Sequence, residues 1–100
     1  MGKKISISQF REDVSGFNMY GVEIADPLSC LGTVQFFSYA EVLHTISPTI
    51  VLSEGNDTYI MIRDIIEVEK IKYGKNIIFK LQCKNHYTSI PISAKIYCTM

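Results

Sequence analysis

Ile77, Phe79, Leu81 and Cys83 alternate one by one with Ile78, Lys80, Gln82 and Lys84. A period of two sends successive side chains to opposite faces of an extended chain, so this stretch reads as a strand with one core face and one wet face. The same texture extends over residues 49–92. Runs such as Thr49-Ile-Val-Leu-Ser53, Thr58-Tyr-Ile-Met-Ile62 and Ile65-Ile-Glu-Val-Glu-Lys-Ile-Lys-Tyr73 are rich in β-branched residues. They are cut at short intervals by Glu54-Gly-Asn-Asp57, Arg63-Asp64 and Gly74-Lys-Asn76. That pattern predicts an antiparallel meander.

Several details follow from the breakers. Gly55-Asn56 supplies a two-residue hairpin turn, because glycine at the first central position permits positive φ. Arg63-Asp64 predicts a bend in place of one long strand. Ile66 and Val68 share one parity and Ile71 and Tyr73 the other, which predicts a bulge near Glu69-Lys70. Pro91 cannot donate to a ladder, so the segment Ile90-Pro91-Ile92 is expected at a sheet edge. The tail from Ala94 to Met100 is expected to add a helical turn or to fray.

Upstream, Ile5 and Ile7 alternate with polar neighbours and suggest a short strand. Ser8 then caps a brief helix that carries Phe10, Val14 and Phe17 and stops at Ser15-Gly16. Met19 to Ile24 alternates as a strand, with Tyr20, Val22 and Ile24 on one face. Asp26-Pro27 ends it, Leu28 to Gly32 reads as loop or a turn of helix, and Thr33 to Phe37 suits either a strand or the entry to a helix. Ser38-Tyr39-Ala40-Glu41 has the spacing of a capping box and predicts a helix over 38–47, with an apolar stripe of Tyr39, Val42, Leu43 and Ile46. His44 lies on the flank of that stripe, where a rim or core residue is expected before a ligand.

Together these elements predict one α+β domain over residues 1–100. Residues 1–37 form an N-terminal strand, short helix and loop region, 38–47 a capped helix, and 49–92 a β-meander of about five short bent strands. A capped helix leading into short, bent antiparallel strands resembles the SH3-like or Sm-like small barrel, closed or half-open. The resemblance is one of architecture and transfers no site residues, because such folds host unrelated activities.

Composition narrows the partners. The chain has 100 residues, 47% of them hydrophobic, which suits one core that needs no disulfide or metal staple. Ten basic and ten acidic side chains cancel, so the net field favours neither nucleic acid nor membrane. Three widely spaced cysteines, no secretory leader and no apolar run of about 20 residues predict a cytoplasmic protein. Frequent isoleucine and eight lysines against two arginines suggest an AT-rich bacterial or phage genome. Met1-Gly2 with Ser6 matches a myristoylation pattern and Asn56-Asp57-Thr58 a glycosylation sequon. Both patterns are too short to count without a matching compartment.

Chemistry-bearing constellations are sparse. Cys83 and His86 have Cys-x-x-His spacing, but Cys30, Cys98 and His44 are scattered, and a zinc site needs four ligands. If Cys83 faces the core it is no nucleophile either. Glu54, Asn56 and Asp57 at a hairpin tip are turn residues before they are calcium ligands. Nothing points to a catalytic residue, a metal, a cofactor or a small-molecule substrate.

The charge distribution carries the remaining signal. Residues 70–100 hold six lysines and no acid. Lys70, Lys72, Tyr73, Lys75, Lys80, Lys84, His86 and Tyr87 interleave cations with aromatics at one end of the meander. Such a surface suits an acidic protein partner, or nucleic acid held by stacking and phosphate contacts. The outward set Tyr59, Met61, Ile78 and Tyr87 would supply an apolar patch beside the lysines. The function expected is therefore a non-catalytic interaction domain that works through protein–protein contacts and self-associates. The alternative is a nucleic-acid-binding small barrel that uses the lysine-rich hairpin.

Overall fold

A computed structural model describes residues 2–25, 34–44, 47–55, 58–84 and 92–99, without the side chains of Ala25, His44, Thr58 and Ile92. The described residues form mostly antiparallel sheet with one short helix. Strand β1 (Gly2–Ile5) runs into Ser6, whose extended backbone and side chain, accepting from Gln9 N at 3.1 Å, cap the helix. Helix α1 (Ile7–Asp13) therefore starts two residues earlier than a Ser8 cap would allow. It still buries Phe10 and, at its C-cap, Val14, four apart on one side. Gly16 at φ +92° then turns the chain back, a conformation only glycine adopts cheaply.

Strands β2 (Met19–Ala25) and β3 (Val34–Phe37) follow, then β4 (Tyr39–His44), β5 (Pro48–Glu54), β6 (Thr58–Ile62), β7 (Ile65–Tyr73), β8 (Asn76–Cys83) and β9 (Ile92–Thr99). Two sheets form, a six-stranded one in the order β1-β7-β8-β9-β2-β3 and a three-stranded one in the order β4-β5-β6. They share two bent strands. Ser38 separates β3 from β4, and Arg63-Asp64 separates β6 from β7, so the chain leaves one sheet and enters the other at each corner. Asp64 makes its corner at φ +54°.

The sandwiched faces meet in one contiguous core. Phe79, Leu81, Ile96 and Val68 from the large sheet, Ile50, Leu52 and Val42 from the small one, and Phe10 from α1 are all essentially inaccessible. The Phe10 and Phe79 rings pack edge to face with centroids 5.0 Å apart. Ile77 half-buried and Phe79, Leu81 and Cys83 buried confirm the period-two reading of β8.

Several further expectations need correction. The helix expected over 38–47 is the strand β4, where Ala40 pairs with Leu52 and Val42 with Ile50, both buried, while Tyr39 stands 54% exposed. A capping box is worth about 1 kcal/mol. Six residues hydrogen-bonded to β5, with two side chains in the core, outweigh it.

The bulge lies at Ile66, not near Glu69-Lys70. Ile65 pairs with Cys83 and Glu67 with Gln82, so Ile66 is the extra residue and is pushed out to 63% exposure. Ile65, not Ile66, shares the core with Val68.

The last strand is central, flanked by β8 and β2, and the tail from Ala94 is neither helical nor frayed up to Thr99. Its described part starts at Ile92, opposite Cys83. The hairpin after β5 pairs Glu54 with Thr58, which leaves three positions between them instead of two, with Gly55 at φ +68°. Asn56, Asp57, Ile90 and Pro91 lie outside the described residues, as does the Leu28 to Gly32 segment. No helix among the described residues is long and apolar enough to cross a membrane.

Candidate interaction surface

Cross-strand pairing sorts the large sheet into two faces, because directly opposed residues share a side. Val68 pairs with Leu81, Lys70 with Phe79 and Lys72 with Ile77, so Lys70 and Lys72 belong to the inner side. Glu69 pairs with Lys80 and Ile71 with Ile78, so Lys80 belongs to the outer side. The lysine cluster is thereby divided between opposite faces. Tyr73 is outward and 63% exposed, Lys75 sits in the two-residue turn after Gly74 (φ +59°), and Lys84 is exposed just past the end of β8. His86 and Tyr87 lie outside the described residues.

On the inner side Lys70 is already engaged. Its Nζ lies 2.8 Å from Asp13 Oδ2, and Gln9 Nε2 donates to Asp13 Oδ1 at 2.7 Å. Lys3, Lys70, Lys72, Ile5, Gln9 and Asp13 line a recess of about 400 Å³ between β1, β7 and α1. Both Asp13 oxygens are occupied from within. The lysines of this recess thus face an anion the chain itself supplies, and Lys70 is a structural residue before it is a binding one.

The outer face has a different character. Reading pairs across the sheet, Ile71, Ile78, Tyr97, Gly21 and Phe36 fall in one row over β7, β8, β9, β2 and β3. Gly21 has no side chain, and the Phe36 ring fills the gap, with its Cε1 3.2 Å from where a Cβ would stand. Phe36 is 61% exposed, and Met19 and Val34 beside it are 47% and 43% exposed. A hollow of about 350 Å³ opens where Tyr73, Ile78, Tyr97 and Thr99 meet. No described element lies over this face.

The neighbouring row carries charge. Lys4, Glu69, Lys80, Lys95, Glu23 and Val34 are successive partners across all six strands. Glu23 Oε2 accepts from Tyr97 Oη at 3.1 Å, and burial followed by this contact raises the phenol above its usual range. Lys4 turns to Glu67 at 2.7 Å, and the hydrogen bond holds its ammonium above the ordinary lysine value. Among the described residues no carboxylate lies within salt-bridge distance of Lys80 or Lys95.

The set Tyr59, Met61 and Ile78 does not form one patch. Tyr59 and Met61 are exposed on the outside of the small sheet and Ile78 lies on the outside of the large one. Met19, Val34, Phe36 and Tyr97 are the surface residues that sequence reasoning passed over. Phe36-Phe37 held a readable signal, since in a strand only one of two adjacent phenylalanines can face the core.

Chemistry at the thiols is suppressed. Cys83 and Cys98 are buried and free, and burial pushes them up to about 11 and about 12 respectively. No group of three or more histidine, cysteine or acidic side chains among the described residues could hold a metal ion. Comparison with known proteins finds no matching family model, no similar curated protein and no similar solved structure.

Proposed function

We propose that this chain is a non-catalytic interaction domain that self-associates through the outer face of its large sheet. The observation that supports the reading is the in-register apolar row ending in Phe36, 61% exposed on a sheet face that no described element covers. Solvent-exposed aromatics beside a row of charges have the composition of an interface core with its rim. The two corner-turning strands suit a half-open form of the small-barrel plan, in which a curled sheet presents its outside to a partner.

Nucleic acid is the weaker alternative. Lys70 is held by Asp13, Lys72 and Lys80 lie on opposite faces, and only Arg11 and Arg63 offer bidentate donors. Light scattering on the purified chain separates the two readings. A defined species larger than 11.4 kDa with no absorbance at 260 nm beyond that of its own aromatic side chains, reduced by Phe36→Asp in a protein that keeps its β-sheet circular dichroism, is the expected result. Salt-sensitive retention of nucleic acid by a monomer would favour the alternative.

A further inference from the structure

We propose that the outer face of the large sheet docks back to back on a second copy of this chain about a two-fold axis running along β9. This rests on the reading of the domain as self-associating, and it adds the symmetry and the pairing. The strands that bear the apolar row stand in the order β7-β8-β9-β2-β3, so β9 is its centre. A two-fold axis along β9 sets each row against itself with the strand order reversed.

The contacts are then determined. Ile71 meets Phe36 of the second copy, Ile78 meets the Phe36 ring where it lies over Gly21, and Tyr97 meets its own counterpart on the axis. In the charged row Lys80 meets Glu23 of the second copy, twice by symmetry. Lys80 has no carboxylate within salt-bridge distance in its own chain among the described residues, and Glu23 uses only Oε2 for Tyr97. Lys95 falls on the axis and faces its own counterpart, each beside its own Glu23 in the sheet, so two Lys80–Glu23 pairs stand against one like-charge contact. Glu69, Lys80, Lys95 and Glu23 sum to zero charge, so the face meets itself without net repulsion.

Other axes fit worse. An axis along β8 carries β3 past the edge of the second copy and leaves Phe36 uncovered, and an axis across the strands lays the charged row over Tyr73 and Met19. Five strands about 4.8 Å apart spread the row over about 20 Å, the scale of an interface that buries about 800 Å² per partner.

Sedimentation velocity of the full chain tests the pairing with Lys80→Glu, Glu23→Lys and the double exchange. Both positions are outside the core, and circular dichroism checks that each variant folds. Each single exchange turns two attractive pairs into repulsive ones and is expected to weaken the dimer about tenfold or more. The double exchange is expected to restore it to within about threefold of the starting chain. A dimer indifferent to the single exchanges, or singles that weaken it with no recovery in the double, overturns this docking while self-association stands. A chain that stays monomeric at every concentration overturns both.

Discussion

Lys70 Nζ sits 2.8 Å from Asp13 Oδ2 with the two side chains only 19% and 17% exposed, and this contact joins residues 57 positions apart in the chain. It fastens the end of α1 to the middle of β7. It also answers a local conflict, because Lys3 and Lys70 are directly opposed on β1 and β7 and like charges so placed repel. One carboxylate thus secures the helix and neutralises the edge of the large sheet.

Asp13→Asn keeps the shape and removes the charge. A charge-assisted hydrogen bond contributes about 1.5–3 kcal/mol, so a loss of that order is expected in urea unfolding. Lys70→Met leaves the Asp13 carboxylate without its cation, and a loss of similar order is expected in the same assay.

Acid is expected to act through the same pair. The hydrogen bond from Lys70 holds the Asp13 carboxyl below its ordinary 3.8, helped by Gln9 and by the charges of Lys70 and Lys72 and opposed by burial. A depressed folded value means that the unfolded chain takes up the proton first. The contribution is therefore complete above the unfolded value near 3.8 and is lost as pH falls through the lower folded value. Thermal unfolding from pH 6 down to about pH 2 should show a decline below about pH 4 that is smaller in Asp13→Asn.

Asp64 turns the corner between the sheets at φ +54°, where β-branched residues are strained. Asp64→Val is expected to destabilise by about 1–2 kcal/mol or more, whereas Asp64→Asn, which tolerates the left-handed region, should cost less. Equilibrium unfolding of the two variants side by side measures the difference.

Tyr20 closes the junction between helix and sheet. Its buried hydroxyl donates to Val14 O at 2.6 Å and accepts from Phe17 N at 3.3 Å, while its ring meets Phe17 edge to face at 6.1 Å. Burial raises this phenol above its usual value. Tyr20→Phe keeps the ring and strands both backbone groups, an expected loss of about 1–3 kcal/mol in chemical unfolding.

Cys83 and Cys98 should be inert in the folded chain. Thiols pushed up to about 11 and about 12 hold little thiolate near pH 8, and both are shielded from reagent. Titration with a chromogenic disulfide should find at least these two of the three thiols unreactive until denaturant is added. Rapid native reaction of all three would contradict the burial.

Where local pattern and packing agree, the residues announce the structure. The alternation of Ile77 to Cys83, the break at Arg63-Asp64 and the glycine turns at Gly55 and Gly74 are short-range features, set by side-chain period and by φ. Hence the predominance of antiparallel strands was readable. Ser38 to Glu41 misleads for the same reason. Its helix signal is local and weak, and only the presence of β5 shows that Ala40 and Val42 bury better in a strand.

The candidate surface was less legible. Lys70, Lys72 and Lys80 look alike in sequence, and their division between two faces follows from the two-residue turn at Gly74-Lys75, which sets Lys70 opposite Phe79 and Lys80 opposite Glu69. The row from Ile71 to Phe36 gathers residues from five strands, and no periodicity along the chain encodes which strands become neighbours. What the sequence alone determined is that this chain forms short antiparallel strands with one greasy side, because period and turn chemistry act over a few residues. Which strands adjoin, which lysines are spent on an internal carboxylate and which apolar side chains stay outside were decided only by the tertiary structure. Those outcomes depend on how distant segments compete for the same buried volume.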